Sequence, residues 1–384
     1  MLFYIITILL GFAFDYKGGT KRVNNTYRRL FVLWLYVFLC FGYMTGSDWR
    51  NYEQQFDYMQ TIQDLGWVTE WGFSFIFLML KKVFVDFWLV IGLLKCLYLY
   101  TLIRVVKLIT PYWLSVVSLF ITGGLGFMLI DNPLRFMTAL ILVNIAMELC
   151  LKNKRVAAFL LAFLSFIIHN ASAFFVVLIW FMLKAEKIAK WNKSLVVMLF
   201  LAITVVSSNA QIIEALRSMM VYAAGLFGTY KSYSSYAVED NSGFFTIGNL
   251  ASIILFFVVI FSRDLIVKRN ENGLFVYGMT IVYCLLNKLF ILIPTGFRLT
   301  IPFAVFYFVY MVYLIRSKSL LKWALILYIV FSYPLSLWNT YKYIPYSNSI
   351  PYIVMGHKDY ETRYRHNIEA YQERTGKYYN GDFE

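Results

Sequence analysis

The chain has 384 residues, of which 60% are apolar, 20% aromatic and only 15% charged, with a mean hydropathy of +0.64; that balance excludes a soluble globular domain. The formal charge of +14 would suit nucleic acid, but most Lys and Arg fall in short gaps between apolar runs. That is the positive-inside pattern of a polytopic membrane protein, so the expected partner is the lipid bilayer, with no nucleic acid.

Residues 2–14 are apolar from the start and lack a basic n-region, so they read as a first span and not as a cleavable signal peptide. The next segment, DYKGGTKRVNNTYRR, carries five basic residues against one acidic, which puts it in the cytoplasm and the N-terminus outside. Residues 30–45 return to the outer face and lead into 46–70, where Asp48, Glu53, Asp57, Asp64 and Glu70 stand against Arg50 alone. This segment is too polar to span. It is predicted to lie at the interface as an amphipathic helix with Trp49, Tyr52, Phe56 and Met59 inward.

Residues 71–84 are apolar but short, and end in Lys81 and Lys82. If they crossed, the basic loops at 152–155, 184–193, 263–269 and 316–322 would all face outside, so they are predicted to be re-entrant or shallow. Spans are then expected at 87–103, 112–130, 136–151, 156–168, 171–183, 194–208, 244–261, 274–293, 299–315 and 321–338. With the first two, the fold class is an all-α polytopic membrane protein of about twelve crossings with both termini outside. The expected organisation is one helical domain, 1–338, with outer loops 46–70 and 209–243, followed by a polar, Tyr-rich outer tail, 339–384.

The stretch from Asp131 to Phe175 organises the rest. Arg135 opens an apolar run, the basic turn Lys152-Asn153-Lys154-Arg155 interrupts it, and a second run ends at His169-Asn170. At about 1.5 Å per residue the two arms descend roughly 24 Å and climb back roughly 20 Å. Arg135 and His169 should therefore emerge on the same face, opposite the cytoplasmic turn, and offer a place for an anionic substrate. The cysteines, Cys40, Cys96, Cys150 and Cys284, are widely separated within apolar runs and read as packing residues. No CxxC, HExxH, Walker-type or paired acidic motif occurs, so neither a metal nor any other cofactor is expected.

Several short motifs resemble the EpsG family of exopolysaccharide and capsule synthesis: GSDWRNY after the second span, Glu70-Trp-Gly-Phe73, the Arg-opened span with its basic turn and then His169-Asn-Ala-Ser-Ala173, and YIPY at 343–346. One detail departs from the family pattern, which usually reads Ile-Arg-Gln where this chain has Leu134-Arg135-Phe136. The resemblance implies a Wzy-type polymerase with a metal-independent, lipid-dependent glycosyltransferase fold. Its substrate would be an undecaprenyl-diphosphate-linked oligosaccharide and its site would face outward from the bacterial cytoplasmic membrane. A chain-length regulator is a further expected partner.

For that reaction Arg135 and Arg298, each beside a proline-containing outer turn, are the candidate diphosphate ligands, because a forked, permanently charged donor tolerates partial burial. The alternative is a pair of arginines snorkelling to the interface. His169 is a candidate general base or a cation for the leaving diphosphate, and Asp48 and Glu70 are the competing bases. Asp48 also reads as a helix N-cap and His169 as a structural residue at a helix end. Lys288, inside an apolar run, is a third phosphate candidate, and Lys95 lies deeper in another run. Tyr233 and Tyr236, with Tyr343 and Tyr346, are candidate sugar-stacking residues, although belt and packing roles also account for tyrosines.

A flippase of lipid-linked sugar is the rival from another class. It should show internal repeats around midplane charge, and none is evident. An O-antigen-type ligase differs only in its acceptor. The orientation rests on a charge census: the six assigned cytoplasmic loops hold twenty Lys and Arg, the outer loops before the tail five. A cysteine introduced at Asn153 should accordingly resist an impermeant thiol reagent applied from outside, and one at Ser235 should react; the reverse at both sites would invert the topology.

Overall fold

The computed structural model describes residues 2–16, 25–45, 49–61, 70–121, 126–131, 133–209, 211–215, 218–219, 247–290, 296–317, 320, 322–323, 326, 347–356 and 360–375. Among these residues the chain is helical with no strand, and the sole bridge of β type pairs Gly42 with Asn348. It divides into two compact units, one of residues 1–176 and 327–384, the other of 177–326.

The first unit holds α1 (Leu2–Tyr16), α2 (Asn25–Leu35), α3 (Trp49–Tyr58), α4 (Trp71–Val83), α5 (Phe87–Ile109), α6 (Trp113–Phe120), α7 (Leu134–Leu151) and α8 (Arg155–Ile168). Two C-terminal helices, α15 (Ile350–Met355) and α16 (Tyr360–Thr375), also belong to it. α7 and α8 form the predicted hairpin. Its turn is closed by Asn153 at φ +61°, a left-handed conformation that asparagine tolerates, and by the Lys154 N–H to Leu149 carbonyl bond of 2.9 Å.

α8 buries a stripe of small residues, Ala158, Ala162 and Ser165, which permits close helix approach, while Val156, Leu160, Phe163 and Phe166 are exposed. A dense exposed apolar face of this kind suits lipid and not water. α5 runs parallel to α7, as the Asn144 Nδ2 to Thr101 Oγ1 bond of 3.2 Å and the pairing of Arg104 with Glu148 show. The ends of these helices are therefore chemically distinct: Arg104, Lys152, Lys154 and Arg155 gather at one, and Arg135 and His169 lie at the other.

At that second end sits an aromatic layer. Trp49 and Trp88 lie 5.3 Å apart, Phe56 and Phe77 5.2 Å, and Phe56 and Phe87 5.6 Å. α3 is the predicted amphipathic helix, with Trp49, Phe56 and the adjoining Met59 buried. It lies alongside α4 over much of its length: Tyr52 packs edge-on against Phe73, Gln55 Nε2 donates to Ser74 Oγ at 3.3 Å, and Lys81 Nζ donates to the carbonyls of Phe56 and Asp57. The C-terminal segment closes over the same end. Ser349 N–H donates to Phe41 O at 2.7 Å, Tyr43 N–H to Ser347 O at 2.8 Å, and the Tyr43 and Tyr352 rings stack at 4.2 Å.

The second unit holds most of α9 (Phe175–Ile188), then α10 (Lys193–Ser207), α11 (Ile247–Phe261), α12 (Arg263–Val267), α13 (Gly273–Leu289) and α14 (Phe297–Ile315). Gly278 brings α13 against α9 so closely that a Cβ there would lie 2.0 Å from the Ala185 carbonyl oxygen.

Among the described residues three helices, Phe87–Ile109, Leu134–Leu151 and Phe297–Ile315, are long and apolar enough to cross a bilayer, and five apolar stretches are shorter. The all-helical, membrane-type architecture agrees with the composition. Of the span expected over 112–130, α6 covers Trp113–Phe120, Gly126 is helical and a five-residue π-helical turn follows at Phe127–Asp131; residues 122–125 lie outside the described residues.

Gly72 sets the spacing of α4 and α8, because a Cβ there would sit 2.6 Å from the Ile167 carbonyl oxygen. Gly72→Ala should cost about 1–3 kcal/mol as overpacking, read as a lower melting temperature of the detergent-solubilised protein. An unchanged melting temperature would show that the two helices do not pack this tightly.

Candidate active site

The cluster forms where three breaks in helical structure meet. Pro133 precedes α7, so Arg135 is the second residue of that helix. α8 ends at His169, whose extended backbone (φ −152°, ψ 121°) separates it from a 3₁₀ turn, Asn170–Phe174. Ser172 fixes this break, with both its N–H (2.9 Å) and its hydroxyl (2.6 Å) donating to the His169 carbonyl. Glu70 occupies the N-cap position of α4 but makes no side-chain bond to that helix. Its carboxylate turns instead to the other two elements.

Glu70 Oε2 accepts from Arg135 Nη1 at 3.2 Å. Oε1 accepts from the Asn170 backbone N–H at 3.1 Å and lies 2.6 Å from His169 Nδ1, although the imidazole N–H is not aimed along that contact. The Glu70 side chain is 10% exposed, His169 16% and Arg135 36%. Burial pushes the Glu70 carboxyl pKa up. The contact with His169, the Asn170 N–H and the Arg135 charge outweigh it and hold the group below its ordinary value.

The guanidinium of Arg135 lies 5.8 Å from the Tyr52 ring centroid and 6.0 Å from that of Phe73, while Phe136 packs edge-on against the imidazole at 5.4 Å. Arg135 Nε is buried and makes no hydrogen bond. Phe136, the residue after the arginine, thus gives His169 an aromatic wall.

Three of the residues singled out from the sequence, Glu70, Arg135 and His169, thus come together. Lys288 and Arg298 fall in the second unit: Lys288 is 2% exposed and donates to Asn249 Oδ1 at 2.6 Å, and Arg298 is half-buried near the start of α14. Asp48, Tyr233, Tyr236, Tyr343 and Tyr346 lie outside the described residues. Lys95 is fully buried in α5. Two contributors escaped the sequence reading. The Asn170 backbone N–H carries no side-chain signal, and Tyr52 was read as an inward face without a role. Among the described residues, no group of three His, Cys, Asp or Glu side chains is placed to hold a metal.

Because the folded-state pKa of Glu70 lies below its unfolded value, the cluster contributes its full stability above the unfolded pKa of about 4.3 and loses it as the pH falls through the lower folded value. The melting temperature should fall on acidification through that window. Glu70→Gln, which does not titrate, should melt lower at neutral pH and show a flatter acid limb. The loss should be less than the roughly 3–5 kcal/mol of a fully buried pair, since Arg135 is 36% exposed. An identical acid limb in both proteins would remove Glu70 as its source.

No curated protein and no solved structure matches the chain. The model of the EpsG family matches residues 25–353, a stretch that includes Glu70, Arg135 and His169. The chain therefore belongs to the EpsG family, and this membership supports a general role in polysaccharide synthesis.

Proposed function

We propose that this chain is a membrane glycosyltransferase that polymerises undecaprenyl-diphosphate-linked oligosaccharide repeats into surface polysaccharide, either exopolysaccharide, capsule or O-antigen. The reaction runs at the outer face of the cytoplasmic membrane and without a metal. The observation that carries this reading is the single carboxylate of Glu70 joined to both Arg135 and His169. Such a cluster combines a fixed cation for a diphosphate with an imidazole for a hydroxyl proton.

In the transfer, the acceptor hydroxyl oxygen attacks the anomeric carbon of the growing chain. The new glycosidic C–O bond forms as the C–O bond to the lipid diphosphate breaks, and its electron pair leaves on the diphosphate oxygen. Arg135 meets that charge with the donors that Glu70 does not occupy. Since Nδ1 of His169 lies 2.6 Å from Glu70, Nε2 is the ring nitrogen left to take the hydroxyl proton, and the nearby carboxylate stabilises the imidazolium that results. Glu70 acts as a positioning residue, since both its oxygens are engaged.

A guanidinium that grips diphosphate through two parallel bonds is not replaced by an ammonium. Arg135→Lys should therefore be impaired as well as Arg135→Ala, by about a hundredfold for a lost charge-assisted contact of roughly 3 kcal/mol. The measurement is polymer length on a gel beside the membrane abundance of each variant. Wild-type polymer from Arg135→Ala at equal abundance would remove Arg135 from the reaction, whereas polymer and protein lost together would leave it only a folding role.

A further inference from the structure

Helix α3 presents two different faces. Trp49, Tyr52 and Phe56 turn towards the aromatic layer, and Tyr52 lies against Arg135. On the other side Arg50, Glu53, Gln54 and Asp57, spaced at i, i+3, i+4 and i+7, form one wall of a cavity of about 490 Å³. The opposite wall is α16, which contributes Tyr360, Glu361, Tyr364 and Arg365. This volume lies within the roughly 300–1,000 Å³ of ligand pockets.

The lining is built and not merely solvated. The Tyr360 hydroxyl donates to Glu53, and the Tyr360 and Tyr364 rings stack at 5.8 Å. Arg50 is 7% exposed, held between the Trp49 ring at 5.5 Å and the Tyr364 ring at 5.7 Å. Burial and the Glu53 carboxylate keep the Tyr360 phenol protonated well above its ordinary range, so it remains a donor. Asp57, Glu361 and Arg365 form an exposed rim.

We propose that this cavity is a saccharide-binding site that holds the sugar portion of the lipid-linked substrate, beside the Glu70, Arg135 and His169 cluster. The chemistry selects the ligand class. Among the described lining residues three carboxylates stand against two arginines, a balance that disfavours a diphosphate, and the apolar surface belongs to tyrosine rings and not to aliphatic side chains, which suits the face of a sugar better than a lipid tail. A neutral polyhydroxylated ring satisfies both signs at once: its hydroxyls donate to Glu53, Asp57 and Glu361, its oxygens accept from Arg50 and Arg365, and its C–H face covers a tyrosine.

The identity of the sugar's carrier rests on the polymerase reading, under which the diphosphate lies across α3 at Arg135. A helix with its side chains is about 10–12 Å across, a distance that a short oligosaccharide bridges. α16 lies beyond residue 353, where the family match ends. One wall of the site is therefore outside the matched region and suited to recognising this chain's own repeat unit.

The test uses the full chain in lipid nanodiscs. The probe is the repeat-unit oligosaccharide freed from its lipid diphosphate by mild acid, with binding read by saturation-transfer NMR and titration. Wild-type protein should bind it saturably. Asp57→Asn combined with Arg365→Gln, and Glu361→Gln separately, change only exposed side chains and should leave the melting temperature unaltered. Each should weaken binding by about tenfold or more, the effect of one lost charge-assisted hydrogen bond.

Inorganic diphosphate should not displace the probe. Wild-type affinity in these variants, no saturable binding by the wild type, or displacement by diphosphate would each overturn the proposal. The readout requires no transfer. Intact polymer from Arg135→Ala would refute the catalytic reading and leave the saccharide site standing, and unchanged binding in the cavity variants beside lost polymer in Arg135→Ala would do the reverse.

Discussion

The structure depends on where one carboxylate finds its partners. Glu70 is nearly buried, and a lone ion at that depth would be forced to neutralise. It stays charged because Arg135, His169 and the Asn170 N–H surround it. Those contacts tie the start of α7 and the break after α8 to the N-cap of α4. The bond to the Asn170 N–H also satisfies a free donor at the first residue of a helical turn, so the carboxylate is an inter-element cap as well as a counter-ion. Removing it would strand the Arg135 guanidinium and a backbone donor together and leave the His169 ring without its neighbour, which explains why local packing is so specific there. Gly72 lets α4 approach the Ile167 carbonyl, and Ser172 locks the His169 carbonyl from both its N–H and its hydroxyl.

The first unit is polarised along its helices. At the end opposite the cluster, Glu148 pairs with Arg104 and with Lys152, and Asp15 accepts from Arg28 and from the Ser115 backbone N–H. Each acid there neutralises part of a basic excess. At the cluster end, by contrast, aromatic side chains surround the paired Glu70, Arg135 and His169. A charged residue in a low-dielectric layer acts strongly on whatever anion approaches, because little solvent competes.

α3 turns this polarity into two adjoining environments. Its apolar side seals the cluster with Tyr52 under the guanidinium, and its polar side faces α16 across an open cavity. A helix of ten residues has too few internal bonds to stand alone. It is held by Gln55 to Ser74, by Lys81 to its C-terminal carbonyls and by Tyr360 to Glu53. These are contacts from α4 and α16, so the helix between the two environments depends on elements from distant parts of the chain.

What the sequence by itself determined was what short-range physics controls. Composition dictated a helical membrane protein, and the fixed rise of a helix placed Arg135 and His169 at the same end of a hairpin whose turn is basic. The inward face of α3 followed from its period, since Trp49, Phe56 and Met59 recur at helical spacing. Glu70 was visible as one acid among several in a polar segment. Only the tertiary structure chose it over its neighbours, by bringing in partners 65 and 100 residues away. α16 carried no signal of its own, because its polar and tyrosine residues show no apolar stripe. Its place opposite α3 was decided by the backbone bridge at Gly42 and Asn348 and the ring contacts around Tyr43, long-range pairings that neither periodicity nor charge spacing encodes.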